Sequence, residues 1–128
     1  MTLGKVLKAY KYIGELTNLV FPYSVTKNLL LLKNRLNAEI QTIVTMEKSL
    51  ATKLGGKILE NGSYKFTNEE SQKTFIKEWN SIMNESRDLD IPVVDLSKYA
   101  DSVRLSVGAM EALKEVIIFE KEDEVNGR

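Results

Sequence analysis

The residue types that most often carry out catalysis and bind metals are missing from this chain. Its 128 residues include no histidine and no cysteine, which removes the commonest general base, the commonest metal ligand and the thiolate nucleophile. A hydrolase triad, a zinc site or a haem site would each need an unusual substitute. Any chemistry here would therefore have to come from carboxylates, lysines and hydroxyl groups.

One glycine-rich segment, Leu54-Gly55-Gly56-Lys57, contains residue types that suit phosphate binding. The phosphate loop of nucleotide-binding proteins requires the spacing Gly-x-x-x-x-Gly-Lys-Ser/Thr at the start of a helix. This segment lacks that spacing, and its glycines follow a helical pattern instead of preceding one. We therefore interpret Gly55 as a helix stop.

Two groups of charged residues are the remaining candidates for catalysis or cation binding. Asp88, Asp90 and Asp95 carry the oxygen ligands that Ca²⁺ and Mg²⁺ prefer, but no glycine-containing calcium loop and no closing glutamate accompany them. The other group lies on a predicted long helix and comprises Glu39, Glu47, Lys48 and Lys53. Such charges on an exposed helix face are usually solvated side chains. We predict no enzyme activity, no metal site and no cofactor.

The first half of the chain predicts two helices. Apolar residues recur every three or four positions over about residues 2–18, which indicates the first helix. The second is predicted from Ser24, a candidate cap behind Pro22, to Leu54. No proline or glycine interrupts it before Gly55, so it would be about 30 residues, or about 45 Å, long. A helix of that length normally packs against another helix.

The segment after the double glycine predicts a reversal of the chain direction. Asn61-Gly62 favours a two-residue β-hairpin turn, and the flanking residues 57–66 alternate between apolar and polar. Thr67 then fits the cap of a third helix over about residues 68–87. The apolar stripe of this helix comprises Phe75, Ile76, Trp79, Ile82 and Met83. The tryptophan in the middle of the stripe is the predicted core anchor.

The last third of the chain predicts a two-stranded ribbon and a final helix. Residues 89–93 alternate in polarity and contain Pro92, which confines a strand to an edge. Residues 101–105 are the expected antiparallel partner, and Ser106 is the expected cap of the helix. The apolar positions of that helix are Ala109, Met110, Leu113, Val116 and Ile117. Residues 121–128 are predicted to form a frayed, charged tail.

The predicted fold is therefore mainly α, with one helical domain over residues 1–120. A long antiparallel helical hairpin, similar to a short coiled coil, carries a small β-hairpin at its tip. The N- and C-terminal helices and the two-stranded ribbon pack near its base. No apolar run approaches the roughly 20 residues that a transmembrane helix needs, so we predict no membrane association.

Charge is divided unevenly between the two halves of the chain. Residues 1–57 contain nine basic and three acidic residues, whereas residues 58–128 contain nine basic and fifteen acidic residues. Either the halves attract one another within one fold, or the two charged faces serve different partners or head-to-tail self-association. The predicted basic face of the long helix comprises Lys27, Lys33, Arg35, Lys48 and Lys53. The sequence pI of about 6.4 and the scarcity of arginine argue against nucleic-acid binding.

Three segments carry a resemblance to a known group of proteins. The long helix opens with LVFPYSVTKNLLLLKNRL, the turn contains LENGSYKFTNEE, and the last third contains LDIPVVDLSKYADSVRLSVGAMEALKEV. In this order the chain resembles small uncharacterised proteins encoded by bacteriophages and prophages of Gram-positive bacteria. The resemblance implies a viral or prophage origin, expression in the cytoplasm of a bacterial host, and no known catalytic residues.

These observations favour a non-enzymatic protein that binds another protein of the host or the phage. In a phage setting we expect an inhibitor of a host or defence protein. The expected contact residues lie at the tip and are Asn61, Gly62, Tyr64 and Phe66. The alternative is a component of the virion or of tail assembly, or an assembly chaperone, that forms a homo-oligomer through the long helix.

Overall fold

A computed structural model describes residues 1–120 of the chain. Within that range the chain forms four α-helices: α1 (Leu3–Thr17), α2 (Tyr23–Lys53), α3 (Glu69–Asn84) and α4 (Val107–Leu113). The strands are β1 (Lys57–Ile58), β2 (Tyr64–Lys65), β3 (Val94–Asp95) and β4 (Ile117–Ile118). The predicted mainly α fold is confirmed. The predicted charged tail, residues 121–128, lies outside the described residues.

Helix α2 is the long axis of the structure, with 31 residues and a length of about 45 Å. The short connection over residues 18–22 turns α1 back against the first half of α2, and α3 returns along its second half. The start of α1 meets the end of α3, since Thr2 bridges Ser86 and the Met1 amine donates to the Arg87 carbonyl over 3.1 Å. The predicted long helical pair therefore exists, but α3 accompanies only half of α2.

The hydrophobic core lies between α1, the first half of α2, α4 and the β3–β4 sheet. Its buried members are Leu3, Val6, Ala9, Ile13, Leu16, Leu29, Leu32, Leu36, Ile43, Val94, Leu96, Leu113, Val116 and Ile117. Helix α3 contributes one buried residue, Phe75, which lies outside this cluster. Trp79, the predicted core anchor, is half-buried and packs against the edge of the core. Ile76, predicted on the apolar stripe, is half exposed.

The helix ends follow from local capping, with two corrections to the predicted caps. Gly55 has φ +82°, and the amide of Gly56 donates to the Ala51 carbonyl over 2.7 Å. This pattern is the Schellman motif that ends many helices, so the predicted stop of α2 is confirmed. The cap predicted at Ser24 is wrong, because α2 begins one residue earlier, behind Pro22. The cap of α3 is Asn68 and not Thr67, because the Asn68 side chain accepts from the Ser71 amide at 2.8 Å.

The predicted β-hairpin exists, but its turn is one residue longer than predicted. Strands β1 and β2 are antiparallel and pair Ile58 with Tyr64. The Leu59 amide donates to the Ser63 carbonyl over 2.8 Å, which leaves a loop of residues 60–62. Only Gly62 in this loop has a positive φ, +86°. A type I turn followed by a left-handed glycine gives this three-residue loop, whereas the predicted two-residue turn needs positive φ at both central residues.

The second sheet differs from the predicted ribbon. Strand β3 pairs in parallel with β4, and Val94 lies opposite Ile117. Residues 101–105 form no strand, so the predicted antiparallel pairing is wrong. Ser106 caps α4 as predicted, accepting from the Ala109 amide at 3.1 Å, but the helix ends at Leu113. The β-branched run of residues 116–118 disfavours a further helical turn and favours an extended strand.

Adjacent leucines in α2 give a test of where the core lies. Leu32 is fully buried, whereas Leu31 is 52% exposed. We expect Leu32→Ala to lower the free energy of unfolding by about 2–5 kcal/mol, because it leaves a cavity between α1 and α2. Leu31→Ala should change it by less than about 0.5 kcal/mol. Urea denaturation followed by circular dichroism measures both, and equal losses for the two variants would contradict this placement of the core.

Candidate functional site

Three of the most exposed apolar side chains in residues 1–120 lie at the same end of the molecule. Val20 is 98% exposed, Val107 87% and Tyr23 81%. Val20 lies in the connection that leaves α1, and Tyr23 is the first residue of α2. Val107 opens α4, next to Ser106, whose hydroxyl bonds to the Glu15 carboxylate near the end of α1 at 3.2 Å. We call the surface formed by Val20, Tyr23 and Val107 the apolar end.

The backbone beneath Val20 is anchored, so its exposure is built into the fold. Its neighbours Leu19 and Phe21 both pack against the core. The Phe21 ring meets the Tyr99 ring edge-on, with centroids 5.5 Å apart, and the Phe21 carbonyl accepts from the Thr26 hydroxyl at 3.3 Å. With the residues on either side held inward, the side chain of Val20 points into solvent. The sequence alone gives no sign of which residue in this apolar run faces outward.

A small apolar groove continues the surface along α2. It has a volume of about 140 Å³ and is lined by Leu16, Thr17, Leu19, Phe21, Thr26, Leu29, Leu30 and Lys33. Leu30 and Leu31 are half exposed, and they follow Tyr23 by seven and eight residues, so all three share one face of the helix. Lys27 lies on the same face between them. The apolar surface therefore extends about 12 Å along α2 from the apolar end.

The predicted tip residues divide into two exposed residues and two rings that face the rest of the protein. The Tyr64 and Phe66 rings lie 5.4 and 5.2 Å from the Phe75 ring of α3, measured between centroids. Both are half-buried, so they hold the hairpin against α3 and do not project toward a partner. Asn61 and Gly62 are exposed. Even the Asn61 side chain is used locally, because it accepts from the Ser63 amide at 3.0 Å.

Gly56 is required for this packing of the hairpin. A Cβ atom at position 56 would lie 2.7 Å from Cε1 of Phe66 and 3.0 Å from the Ala51 carbonyl oxygen. Real Cβ atoms do not approach a ring so closely, so any side chain there would displace Phe66. Of the two glycines, Gly55 therefore ends α2, and Gly56 leaves room for the ring of Phe66.

The predicted basic face of α2 does not form one surface. The helical repeat places Lys27 directly opposite the buried side of the helix, Lys33 on one flank and Arg35 with Lys53 on the other flank. Arg35 is already engaged, since Nη1 lies 2.6 Å from a carboxylate oxygen of Glu39 and Nε donates to the Asp90 carbonyl at 2.9 Å. The five predicted residues, which include Lys48, therefore do not align as a single stripe along α2.

The Tyr64 hydroxyl provides a test of how the hairpin is attached. It donates to Glu47 Oε1 at 3.3 Å. Burial raises the pKa of Tyr64 above its ordinary value, and the neighbouring Glu47 carboxylate raises it further. The folded protein favours the neutral phenol of Tyr64. The stability that this neutral group contributes to the fold is therefore fully present below the ordinary tyrosine pKa of about 10. It is lost as the pH rises through the raised pKa of Tyr64.

We expect Glu47→Gln to lower the pKa of Tyr64, because the substitution removes a negative charge next to the forming phenolate. An NMR pH titration of the Tyr64 ring signals measures this pKa. Glu60→Gln, at an exposed position in the hairpin loop, is the matched control and should leave the titration unchanged. A Tyr64 pKa that is the same in the wild type and in Glu47→Gln would show that the hydroxyl does not sense Glu47 in solution.

A membrane-spanning helix, a metal-binding group or similarity to a known protein would each point to a function for this chain. None of the helices in the described part of the chain is both long and apolar enough to cross a membrane. Residues 1–120 contain no group of three or more carboxylates placed to hold a metal ion. Comparisons with protein-family models, with curated proteins and with solved structures find no match to this chain.

Proposed function

We propose that this protein works by binding another protein through the apolar end, without catalysing a reaction. The observation that carries the proposal is the exposure of Val20, Tyr23 and Val107, each more than four-fifths accessible to solvent. Moving one large apolar side chain from water into an interface contributes about 1.5–3 kcal/mol before the costs of association are subtracted. Tyrosine is also enriched among the residues that dominate binding energy at protein interfaces.

The shape of the surface supports a protein as the partner. The adjacent groove, at about 140 Å³, is smaller than the roughly 300–1,000 Å³ of typical small-molecule pockets. It matches one or two apolar side chains projecting from another protein. Lys27 is exposed and Lys33 half-buried beside this surface, so the partner is expected to place acidic residues around its own apolar contact.

The resemblance to phage and prophage proteins suggests the setting of this interaction. The partner would then be a protein of the bacterial host, met in the host cytoplasm, and binding would cover a surface that the partner needs for its own function. An inhibitor of this kind needs no catalytic group. It needs a rigid, exposed contact surface, which the anchored connection between α1 and α2 supplies.

Self-association is the second candidate. Residues 1–57 carry a net charge of +6 and residues 58–128 a net charge of −6, so surfaces of opposite charge on two copies can attract one another. Two copies can also bury their apolar ends against each other. Self-association of either kind would suit a role in virion or tail assembly.

Affinity capture with matched variants tests the proposal. We expect the wild-type chain to capture a specific protein from host cells. The double variant Val20→Asp/Val107→Asp should bind that protein with an affinity at least about tenfold lower, which corresponds to a loss of about 1.4 kcal/mol or more in binding free energy. Because both side chains are almost fully exposed, the variant should remain folded. Ile76→Asp, at a 50% exposed apolar position on α3, is the control and should retain the partner.

The captured protein is then purified and its affinity for each variant is measured by calorimetry. Light scattering of the wild type decides between the two candidates. A single-chain mass together with a partner lost in the double variant supports the proposal, whereas a dimer that Val20→Asp/Val107→Asp dissociates supports self-association. A partner that binds the double variant as tightly as the wild type excludes the apolar end.

A further inference from the structure

A second surface, distinct from the apolar end, lies between α1 and α4. The two helices run antiparallel, because Lys5 near the start of α1 pairs with Glu115 beyond the end of α4, and Glu15 near the end of α1 bonds to Ser106. A groove of about 370 Å³ lies between them. It is lined by Lys5, Lys8, Lys11, Tyr12, Gly108, Glu111, Ala112, Lys114 and Glu115. We call this surface the lysine groove.

Two of the four lysines are neutralised by acidic neighbours and two are not. Lys5 pairs with Glu115 at 2.9 Å, and Lys114 pairs with Glu111 at 2.7 Å. Lys8 and Lys11 form no ion pair with any residue in the range 1–120. The groove therefore carries an excess of two positive charges, although residues 58–128 as a whole are acidic.

The charged residues that line the groove lie close enough together to influence one another. The pKa of Glu111 is lowered, first by its hydrogen bond to Lys114 and by the charge of Lys114, and further by the charges of Lys8 and Lys5. An anion that enters the groove would meet the same lysines. Lys5 and Lys114 already form ion pairs with acidic residues. The attraction for an anion therefore comes mainly from Lys8 and Lys11.

Tyr12 of α1 and Gly108 of α4 also line the groove. A Cβ atom at Gly108 would lie 3.2 Å from the Tyr12 hydroxyl oxygen, so the lack of a side chain lets the ring lie against α4. The Lys11 ammonium is 5.5 Å from the centre of the Tyr12 ring, within range of a cation–π interaction. The Tyr12 hydroxyl has no hydrogen-bond partner in the described part of the chain, so it is free to donate to a ligand.

We propose that the lysine groove binds the phosphate group of a small phosphorylated molecule. Lys8 and Lys11 supply two positive charges for a phosphate dianion, and the Tyr12 hydroxyl supplies a donor. Lysine is a common phosphate ligand and binds as a point charge, and four lysines line this groove. The volume lies within the range of small-molecule sites. The three α1 lysines span only about 9 Å along the helix, which suits one phosphorylated group and not an extended polymer.

An NMR titration tests this site directly. Inorganic phosphate and adenosine monophosphate are added separately to the ¹⁵N-labelled chain, and the backbone amides of Lys8, Lys11 and Gly108 are followed. We expect saturable shifts at these amides. The double variant Lys8→Gln/Lys11→Gln should bind at least about tenfold more weakly, because it removes both unpaired positive charges of the groove. Lys27→Gln/Lys48→Gln removes two exposed lysines of α2 and should bind as the wild type does.

The two probes separate the sources of the phosphate. Equal affinities identify inorganic phosphate as sufficient, and tighter binding of the nucleotide identifies a phosphorylated metabolite. Gly108→Ala provides a second variant, since a methyl group against Tyr12 should narrow the groove and weaken both probes. Linear shifts without saturation, or an equal loss of affinity in the Lys27→Gln/Lys48→Gln control, would overturn the proposal, because either result indicates unspecific attraction between charges.

Discussion

The packing of α1 against the first half of α2 is the constraint on which the rest of this structure depends. The buried residues of α1 recur at positions 3, 6, 9, 13 and 16, and those of the facing part of α2 at 29, 32, 36 and 43. Both sets form single stripes, so the two helices close over one another along their length. Helix α4 and the β3–β4 sheet then cover the remaining apolar side. The orientation of α1 also fixes the apolar end and one wall of the lysine groove.

The far half of the molecule is built differently. There the second half of α2, the β-hairpin and the start of α3 are held together by the rings of Tyr64, Phe66 and Phe75. Phe75 is the only buried residue of α3. Fewer buried apolar contacts mean that this region opens at a lower free-energy cost than the core around α1. The hairpin is therefore expected to detach at a lower free-energy cost than α1, whereas the apolar end is anchored to the core.

Local signals in the sequence predicted most of the architecture. The apolar periodicity located the four helices, the double glycine located the end of α2, and Asn61-Gly62 located the hairpin. The errors fall where local rules compete. Thr67 and Asn68 are both good capping residues, and only the geometry of the following turn selects Asn68. The strand partner of Val94 lies 23 residues further along the chain, and the residues that form it also fit a helical stripe.

The surfaces were harder to predict than the fold. The outward direction of Val20 depends on how its neighbours pack, and the lysine groove depends on the docking of α4 beside α1. Neither relation appears in a single segment. Residue type alone suggests the tip aromatics and the basic residues of α2 as contact residues, but Tyr64, Phe66 and Arg35 form contacts within the chain.

The continuity of α2 has a consequence for how this molecule occupies space in a complex. No proline or glycine interrupts its 31 residues. The helix is therefore continuous and rigid, and it holds the apolar end and the hairpin about 45 Å apart. A partner protein the size of a small domain, about 30 Å across, that covers one end of the molecule leaves the other end open to solvent. The protein can therefore bind two such partners at once, and the length of α2 keeps them apart.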